Sequence, residues 1–258
     1  MAEPPEEQLP GVAGAPVSRR DRVRADTVRE IKETARRILV EHGADGLALR
    51  AIAREMGMTA PALYRYFASR EDLVEHVVAD LYDELSDVLE AARDAESPEL
   101  PGARILAVSR AFRTWATTHP AEFGLLFGSP AQSVGIDENG VGEGVAHEAG
   151  HRFGGIFAAL LAQIYLERGF PTPADDELGP ALQEQLRTWC HTLPVPLPLG
   201  VMYVFLSCWI RLYGMVCMEV FGHLRFALDD AQPMFEAELR ALGEVLGVAD
   251  QYRPPSPS

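Results

Sequence analysis

Apolar residues recur at helical spacing along almost the whole chain, and this periodicity limits the possible fold more than any other feature. Val28, Ile31, Ala35 and Ile38 follow each other at intervals of three or four residues, as on one face of an α-helix. Strand-like alternation of apolar and polar residues is not sustained in any segment. The sequence therefore predicts an all-α fold.

Glycine and proline residues divide this pattern into separate helices. Gly43, Gly57 and Gly128 follow apolar runs, where glycine commonly ends a helix, and Pro101 and Pro120 stand where a first turn tolerates proline. Ser69, followed three residues later by Asp72, is typical of a capped helix start. The predicted helices cover residues 21–41, 49–56, 60–67, 69 to just before 98, 101–118, 120–127, 145–168, 177–191, 198–221 and 233–246. A mobile glycine-rich loop is predicted at 129–144, and an extended proline-rich connector at 193–199.

Cysteine usage and the chain start indicate a reducing compartment. The three cysteines are an odd number beside apolar runs, which is unlike a secreted disulfide framework. The first residues are acidic and rich in proline and do not resemble an export signal, so we expect a cytoplasmic protein. Residues 201–218 are strongly apolar but carry Arg211 at their middle, which favours a helix packed among other helices over one that spans a membrane.

The basic residues are unevenly distributed. The whole chain has 38 acidic and 23 basic residues, a net charge of -15, which by itself argues against a polyanionic partner. Residues 18–75, however, hold 12 basic and 10 acidic side chains. Four of the basic residues, Arg19, Arg20, Arg22 and Arg24, are predicted to form an arm ahead of the first helix that neutralises phosphates, although a solvated charged surface would look similar.

Two short predicted helices, 49–56 and 60–67, have the dimensions of a helix-turn-helix. Gly57 permits the tight turn between them, Ala53 allows a close crossing, and Thr59 can cap the second helix with its hydroxyl. Such a core also occurs as a simple scaffold, so a helical binding protein without DNA activity stays open as an alternative. We predict four residues at the centre of this core: Ile52, Met56, Leu63 and Phe67.

Residues 22 to about 78 resemble the DNA-binding domain of the tetracycline-repressor (TetR) family of bacterial regulators. The similarity is carried by Ile52-Ala53, Gly57, Leu63-Tyr64, Phe67 and residues 70–73, Arg-Glu-Asp-Leu. It implies that some residues face the major groove or its flanking phosphates, namely Thr59, Ala60, Pro61 and Tyr64, and that others contact the DNA backbone, namely Arg50, Tyr66 and Arg70. It also implies a homodimer on double-stranded operator DNA, an inverted repeat with half-sites roughly 34 to 36 Å or somewhat further apart.

Two residues depart from the family pattern. Ala48 stands where a threonine or serine usually caps the second helix, so that cap and its phosphate contact are expected to be missing. Arg70 replaces the usual lysine, which keeps the charge but changes its geometry.

Two later segments, residues 112–128 and 209–224, resemble a C-terminal class of this family named for Trp, His and Gly, here Trp115, His119 and Gly128. The resemblance implies an effector-binding and dimerisation domain, in which the apolar helix 198–221 and helix 233–246 form a four-helix bundle between subunits. Most of the aromatic side chains could equally be ordinary core. We predict that a small hydrophobic effector binds among ten residues: Phe112, Trp115, His119, Phe123, Phe127, Phe157, Gln163, Trp189, Tyr203 and Trp209.

Residues 147–151 spell His-Glu-Ala-Gly-His, the H-E-x-x-H signature of zinc peptidases. The longer metzincin pattern places its third histidine at position 157, which is Phe157. If Glu167 or Glu177 supplied the third zinc ligand, the chain could still be a metallopeptidase. Two other interpretations are a metal effector site that uses His147 and His151, and an incidental occurrence of the motif. No other catalytic arrangement is evident in the sequence, so we predict no enzyme, no cofactor and no resident metal.

The sequence thus predicts four regions in a ligand-responsive regulator, which the resemblance implies to be a repressor. A disordered arm covers residues 1–20, a helix-turn-helix domain 21–68, an effector-binding and dimerisation domain 69–250, and a disordered tail 251–258.

Overall fold

A computed structural model describes residues 18–43, 47–128, 144–190 and 197–255 of the chain. Within these residues the structure is helical throughout, which confirms the predicted all-α fold. Ten α-helices follow in chain order: α1 Arg19–His42, α2 Leu49–Glu55, α3 Ala60–Leu63, α4 Arg70–Asp94, α5 Pro101–Thr118, α6 Pro120–Phe127, α7 Val145–Arg168, α8 Pro180–Cys190, α9 Leu199–Val220 and α10 Gln232–Val245. Two single-turn 3₁₀-helices, Asp175–Glu177 and Ala249–Gln251, accompany them.

Helices α1, α2 and α3 form a small head with its own buried centre. Ile52 and Leu63 are fully buried, Phe67 is nearly so, and Met56 packs partly buried against them. Gly57 adopts a left-handed φ of 65°, which a side chain would strain, and so provides the tight turn that the sequence predicts. The core predicted for the helix-turn-helix is therefore present.

Helix α4 connects the head to the larger body. Its N-terminus is closed on both sides, because the Ser69 hydroxyl accepts the Asp72 N–H at 3.1 Å and the Asp72 carboxylate accepts the Ala68 N–H at 2.6 Å. Beyond the cap, one face of α4 is buried from Leu73 and Val77 onward, and the helix as a whole packs against α1, α5 and α7. A single 25-residue helix thus reaches from the head into the centre of the body.

The body has an aromatic core centred on Phe112 of α5. The Phe112 ring is fully buried and lies 5.8 to 6.2 Å, between ring centroids, from five other rings. These rings come from α6, α7 and α9, so one side chain joins four helices. The five are Phe123, Phe127, Phe153, Phe157 and Trp209.

Several predicted boundaries are wrong. Helix α3 ends at Leu63 instead of residue 67, because the amides of Arg65 and Tyr66 bond three residues back and tighten the chain into a turn. Helix α8 begins at Pro180, after a separate 3₁₀ turn. Most of the predicted loop at 129–144 and of the connector at 193–199 lies outside the described residues, as do residues 1–17.

Both segments predicted to be disordered include residues that are helical or packed in the structure. Arg19 to Arg24 belong to the first turns of α1, which the Ser18 hydroxyl caps, so the basic arm is helical. At the other end Gln251 is buried, and its side-chain oxygen accepts the Ala103 N–H at 3.1 Å. The chain end therefore packs against the start of α5 at least as far as this residue.

Helix α9 is long and apolar enough to cross a membrane, judged by length and composition alone. In this structure it packs instead against α5, α7, α8 and α10. Arg211, at its middle, donates to the Glu238 carboxylate of α10 at 2.5 Å. Only 28% of its most apolar stretch is buried within one chain, so much apolar surface remains outward.

Candidate DNA interface and effector cavity

The outer surface of the head carries most of the residues expected to contact DNA. Arg50, Thr59, Pro61 and Tyr64 are exposed, whereas Ala60 is half-buried. Tyr64 has 49% of its surface accessible, which is unusual for a large aromatic side chain beside a packed core. The structure thus brings these residues together around α2, α3 and the turn that follows.

Three arginines add positive charge to the same head. Arg50, Arg54 and Arg65 are all exposed, and none of the three forms an ion pair with any described residue. Arg37, by contrast, is already engaged by Glu41 and Glu55. Arg54 and Arg65 were not among the residues predicted to contact DNA, although Arg54 lies in α2 and Arg65 in the turn after α3.

Neither of the two short helices has a side-chain cap. Ala48 precedes α2 without a capping hydrogen bond, as expected from its methyl side chain. The cap predicted for Thr59 is wrong, because its side chain makes no capping hydrogen bond to α3. Its exposed hydroxyl therefore remains available to a partner outside the chain.

Arg70 and Tyr66 make contacts within the protein. The Arg70 Nε–H donates to the Leu47 carbonyl at 2.9 Å, which ties the start of α4 to the segment before α2. The half-buried Tyr66 ring lies under the Arg24 guanidinium, 5.2 Å from the ring centroid to Cζ. Both residues help to hold the head together, so replacing either would disturb more than a DNA contact.

A charged cluster joins the head to the body. Arg36 of α1 donates to the Glu84 carboxylate of α4 at 2.5 Å and to the Glu122 carboxylate of α6 at 3.2 Å. Burial opposes ionisation of Glu84, but hydrogen bonds from Arg36 and from the Trp115 indole, 3.1 Å away, outweigh it and hold the pKa of that carboxyl below its usual value. The His119 ring stacks on Trp115, with ring centroids 5.1 Å apart. Trp115 and His119, expected in the effector pocket, thus lie at this junction.

An apolar cavity of about 40 Å³ lies between α5, α7, α9 and α10. Two of the ten predicted pocket residues, Phe157 and Trp209, contribute to its wall. The complete lining consists of Ile105, Leu106, Ser109, Phe157, Leu161, Phe205, Cys208, Trp209, Leu212, Leu239, Leu242, Gly243 and Leu246.

The other predicted pocket residues lie elsewhere. Phe112, Phe123 and Phe127 belong to the aromatic core beside the cavity. The Gln163 amide donates to the Pro98 carbonyl at 3.3 Å and to the Glu167 carboxylate at 2.9 Å, away from the cavity wall. Trp189 of α8 packs on Phe205 of α9, and Tyr203 is an exposed residue of α9. The leucines of α10 in the wall were not predicted, because leucine at helical spacing gives the same sequence pattern in a cavity wall and in a packed core.

The H-E-x-x-H residues do not form a metal centre with other described side chains. The His147 and His151 rings are close, with centroids 4.2 Å apart on α7. Across the described ranges, however, no group of three histidine, cysteine or carboxylate side chains is placed to hold a metal ion. Glu167 is 16 residues beyond His151 on the same helix, about 24 Å along its axis, and so cannot share a ligand sphere with it.

Comparison with known proteins gives two matching family models. The model described as bacterial regulatory proteins of the tetR family matches residues 31–77, and a tetracyclin repressor-like C-terminal domain matches residues 105–242. The second match does not test the finer resemblance to the Trp-His-Gly class. Among curated proteins, the chain is similar to the HTH-type transcriptional regulators Rv1816 of Mycobacterium tuberculosis and Mb1846 of Mycobacterium bovis. Each is 33% identical over 231 residues, which is 89% of this chain and 96% of the relative.

Solved structures show the same arrangement. The crystal structure of regulatory protein SCO4313 is 28% identical with a TM-score of 0.66, and the match covers 87% of this chain and 98% of that one. A Rhodococcus protein, 19% identical over 83% of this chain and 94% of its own, has a TM-score of 0.60 and supports the fold alone. Both domains of the chain therefore have counterparts in these structures, in the same order along the sequence.

Proposed function

The chain belongs to the TetR family of bacterial DNA-binding transcriptional regulators, and on that premise we propose that it is a repressor released from its operator by a small hydrophobic effector. It is a regulator and not an enzyme. The division into a reading head at 21–68 and an effector and dimer domain at 69–250 is part of the proposal, as are cytoplasmic location and the absence of a membrane partner.

The observation that carries the DNA-binding half is the outer surface of the head. An acidic chain of net charge -15 presents Tyr64, Thr59 and three arginines without an ion-pair partner among the described residues on one small helical unit. Guanidinium groups contact phosphates, while the tyrosine and threonine hydroxyls are suited to phosphate oxygens or base edges. These residues are our candidates for operator contact, together with Ala60 and Pro61, whose methyl and ring carbons suit thymine methyl groups.

A homodimer is proposed from the outward apolar surface of the last two helices. Large apolar side chains on one chain are exposed there, as in a helical bundle cut in half. Two-fold pairing would present two heads to an inverted repeat with half-sites roughly 34 to 36 Å or somewhat further apart. The exposed residues are Tyr203, Ile210 and Met218 along α9, Phe221 directly after it, and Met234 and Val245 on α10.

An operator-binding measurement with matched charge variants tests the DNA-binding half. The operator is selected from random duplex DNA by the wild-type protein and located by footprinting. Arg50→Ala is expected to weaken binding across sequences and to lower the slope of log affinity against log salt by about 1 per lost phosphate contact. Arg187→Ala, which removes an exposed charge from α8, should change neither. Failure of the wild-type protein to select DNA would favour a helical binding protein without DNA activity.

The proposed release by an effector predicts that a ligand which stabilises the folded protein also changes its affinity for the operator. A ligand that raises the thermal midpoint is expected to weaken operator binding by about 5- to 150-fold, the range of ordinary allosteric coupling. Fluorescence anisotropy of labelled operator, with and without saturating ligand, measures the change. Unchanged operator affinity under saturating ligand would show that this ligand is no effector.

Described contacts offer a route for this coupling. The Phe112 ring touches the cavity residues Phe157 and Trp209 on one side and Phe123 of α6 on the other. The neighbouring residue of α6, Glu122, accepts from Arg36 of the head. A shift of the aromatic core would therefore reach α1 through α6, in addition to the long helix α4.

A further inference from the structure

The wall of the cavity between α5, α7, α9 and α10 is almost entirely hydrocarbon. Its polar groups are the Ser109 hydroxyl, the Cys208 thiol and the Trp209 indole N–H, and none of its lining residues is acidic or basic. Burial raises the pKa of the Cys208 thiol to about 11, so this group is neutral at physiological pH. The wall thus offers no charge of either sign to a bound molecule.

Ser109 determines which polar group a ligand could bring. Its hydroxyl hydrogen is donated to the Ile105 carbonyl at 2.8 Å, one turn back on α5. The oxygen lone pairs remain as acceptors. A ligand hydroxyl or N–H that donates would be satisfied at this point, whereas a second polar group would find only the thiol and the indole N–H.

The arginines on these four helices are already engaged. Three of them pair with glutamates of α9 and α10: Arg110 with Glu236 at 2.8 Å, Arg113 with Glu219 at 2.5 Å and Arg211 with Glu238 at 2.5 Å. The remaining four have partners as well. These are Arg104 with Asp94, Arg152 with Asp83, Asp87 and Glu90, Arg168 with Asp250, and Arg240 over the Tyr252 ring.

An anionic ligand would therefore lose its hydration without gaining a counter-ion. A buried carboxylate or phosphate is tolerated only when it is paired or well hydrogen-bonded. To recruit a cation from these helices, the ligand would have to break an existing ion pair or draw Arg240 away from the Tyr252 ring.

The cavity is too small to hold a ring in the conformation described, so side chains of its wall must move when a ligand binds. A volume of about 40 Å³ has space on the scale of a few water molecules and less than a ring needs. Phe205 and Trp209, which form part of the wall, are only half-buried and so reach the surface. Entry of a molecule of one or two rings would therefore require these two side chains to rotate outward.

We propose that this cavity is the effector site and that it takes a neutral, largely hydrocarbon molecule of one or two rings with at most one hydrogen-bond donor, which Ser109 accepts. The proposal rests on the proposed function and deepens it by stating the chemical class of the effector. Acids, phosphates and coenzyme A esters are excluded as ligands of this cavity.

Matched pairs of small molecules test the charge rule. Thermal unfolding of the full-length protein is followed with 2-naphthol against 2-naphthoate and with indole against indole-3-carboxylate, each at millimolar concentration. The neutral member of each pair is expected to raise the unfolding midpoint by several degrees, and the carboxylate to leave it unchanged. Equal or larger stabilisation by the carboxylates, lost on cavity substitution, would overturn the proposal.

Variants of the chain test whether the neutral probes bind in this cavity. Leu161→Phe fills the wall from α7, where Leu161 is 2% exposed, and should abolish stabilisation by 2-naphthol. The matched control is Leu166→Phe on the same helix, where the side chain is 69% exposed, and it should behave as the wild type. Ser109→Ala leaves the cavity volume almost unchanged. It should weaken the binding of 2-naphthol three- to tenfold and the binding of naphthalene hardly at all.

Operator binding, measured on the same preparations, separates this proposal from the function on which it rests. If the wild-type protein binds its selected operator but no neutral probe stabilises it, the cavity proposal is wrong and the regulator assignment stands. If the neutral probes bind as described and no operator is selected, the ligand class holds and the DNA-binding proposal fails. Loss of 2-naphthol binding in Leu166→Phe but not in Leu161→Phe would place the site elsewhere and overturn the proposal.

Discussion

Tyr64→Ala is expected to weaken operator binding by at least tenfold while leaving the protein folded. The side chain is 49% exposed and projects from the turn directly after α3, so its loss removes little from the core. Substitutions at such positions usually change the free energy of unfolding by less than about 0.5 kcal/mol. A side chain that contacts DNA is worth about 1 to 3 kcal/mol, and a dimer would lose it at both half-sites.

The measurement is operator affinity by anisotropy, with thermal unfolding in parallel. Tyr64→Phe serves as the matched variant, because it removes only the hydroxyl and so separates a hydrogen bond to phosphate from ring contact. Arg70→Ala would be a poorer test than Tyr64→Ala, since the Arg70 Nε–H also holds the Leu47 carbonyl at 2.9 Å. Wild-type affinity in Tyr64→Ala would show that the DNA contacts lie elsewhere on the head.

Phe112→Ala is expected to lower the free energy of unfolding by about 3 to 5 kcal/mol, the usual loss when a fully buried phenylalanine is truncated. The ring is 0% exposed and touches five other rings from three further helices, so the neighbouring helices cannot all close the gap. Chemical denaturation measures the change.

A matched control for this substitution lies in the segment after α9. Phe226 is 87% exposed, and Phe226→Ala removes the same atoms without leaving a cavity. We expect its stability to stay within about 0.5 kcal/mol of the wild type. Similar losses in both variants would mean that Phe112 is not the centre of the core.

Proline and glycine signals made many helix boundaries predictable. Helices α5, α6 and α7 begin and end at the predicted residues, because Pro101, Pro120 and Gly128 act on the backbone within one turn. The end of α3 was wrong because three-residue hydrogen bonds replace four-residue ones there, and side-chain pattern does not distinguish the two.

The head was more predictable than the effector site for a physical reason. Its core depends on Ile52, Leu63 and Phe67, which lie within 16 residues of one another, so their spacing already reports their packing. The wall of the proposed effector cavity joins Ile105 to Leu246, and the sequence pattern does not show which leucines so far apart leave space between them.

By itself, the sequence determined the helical class, the helix-turn-helix with its Gly57 turn, and the family to which both domains belong. The tertiary structure decided which charges and rings meet: Arg36 with Glu84 and Glu122, 48 and 86 residues away, and the Trp115 indole with Glu84 of that cluster. Helix formation and turns depend on neighbouring residues. This ion pairing depends on distances that exist only once α1, α4, α5 and α6 have packed, and the shape of the cavity depends on the packing of α5, α7, α9 and α10.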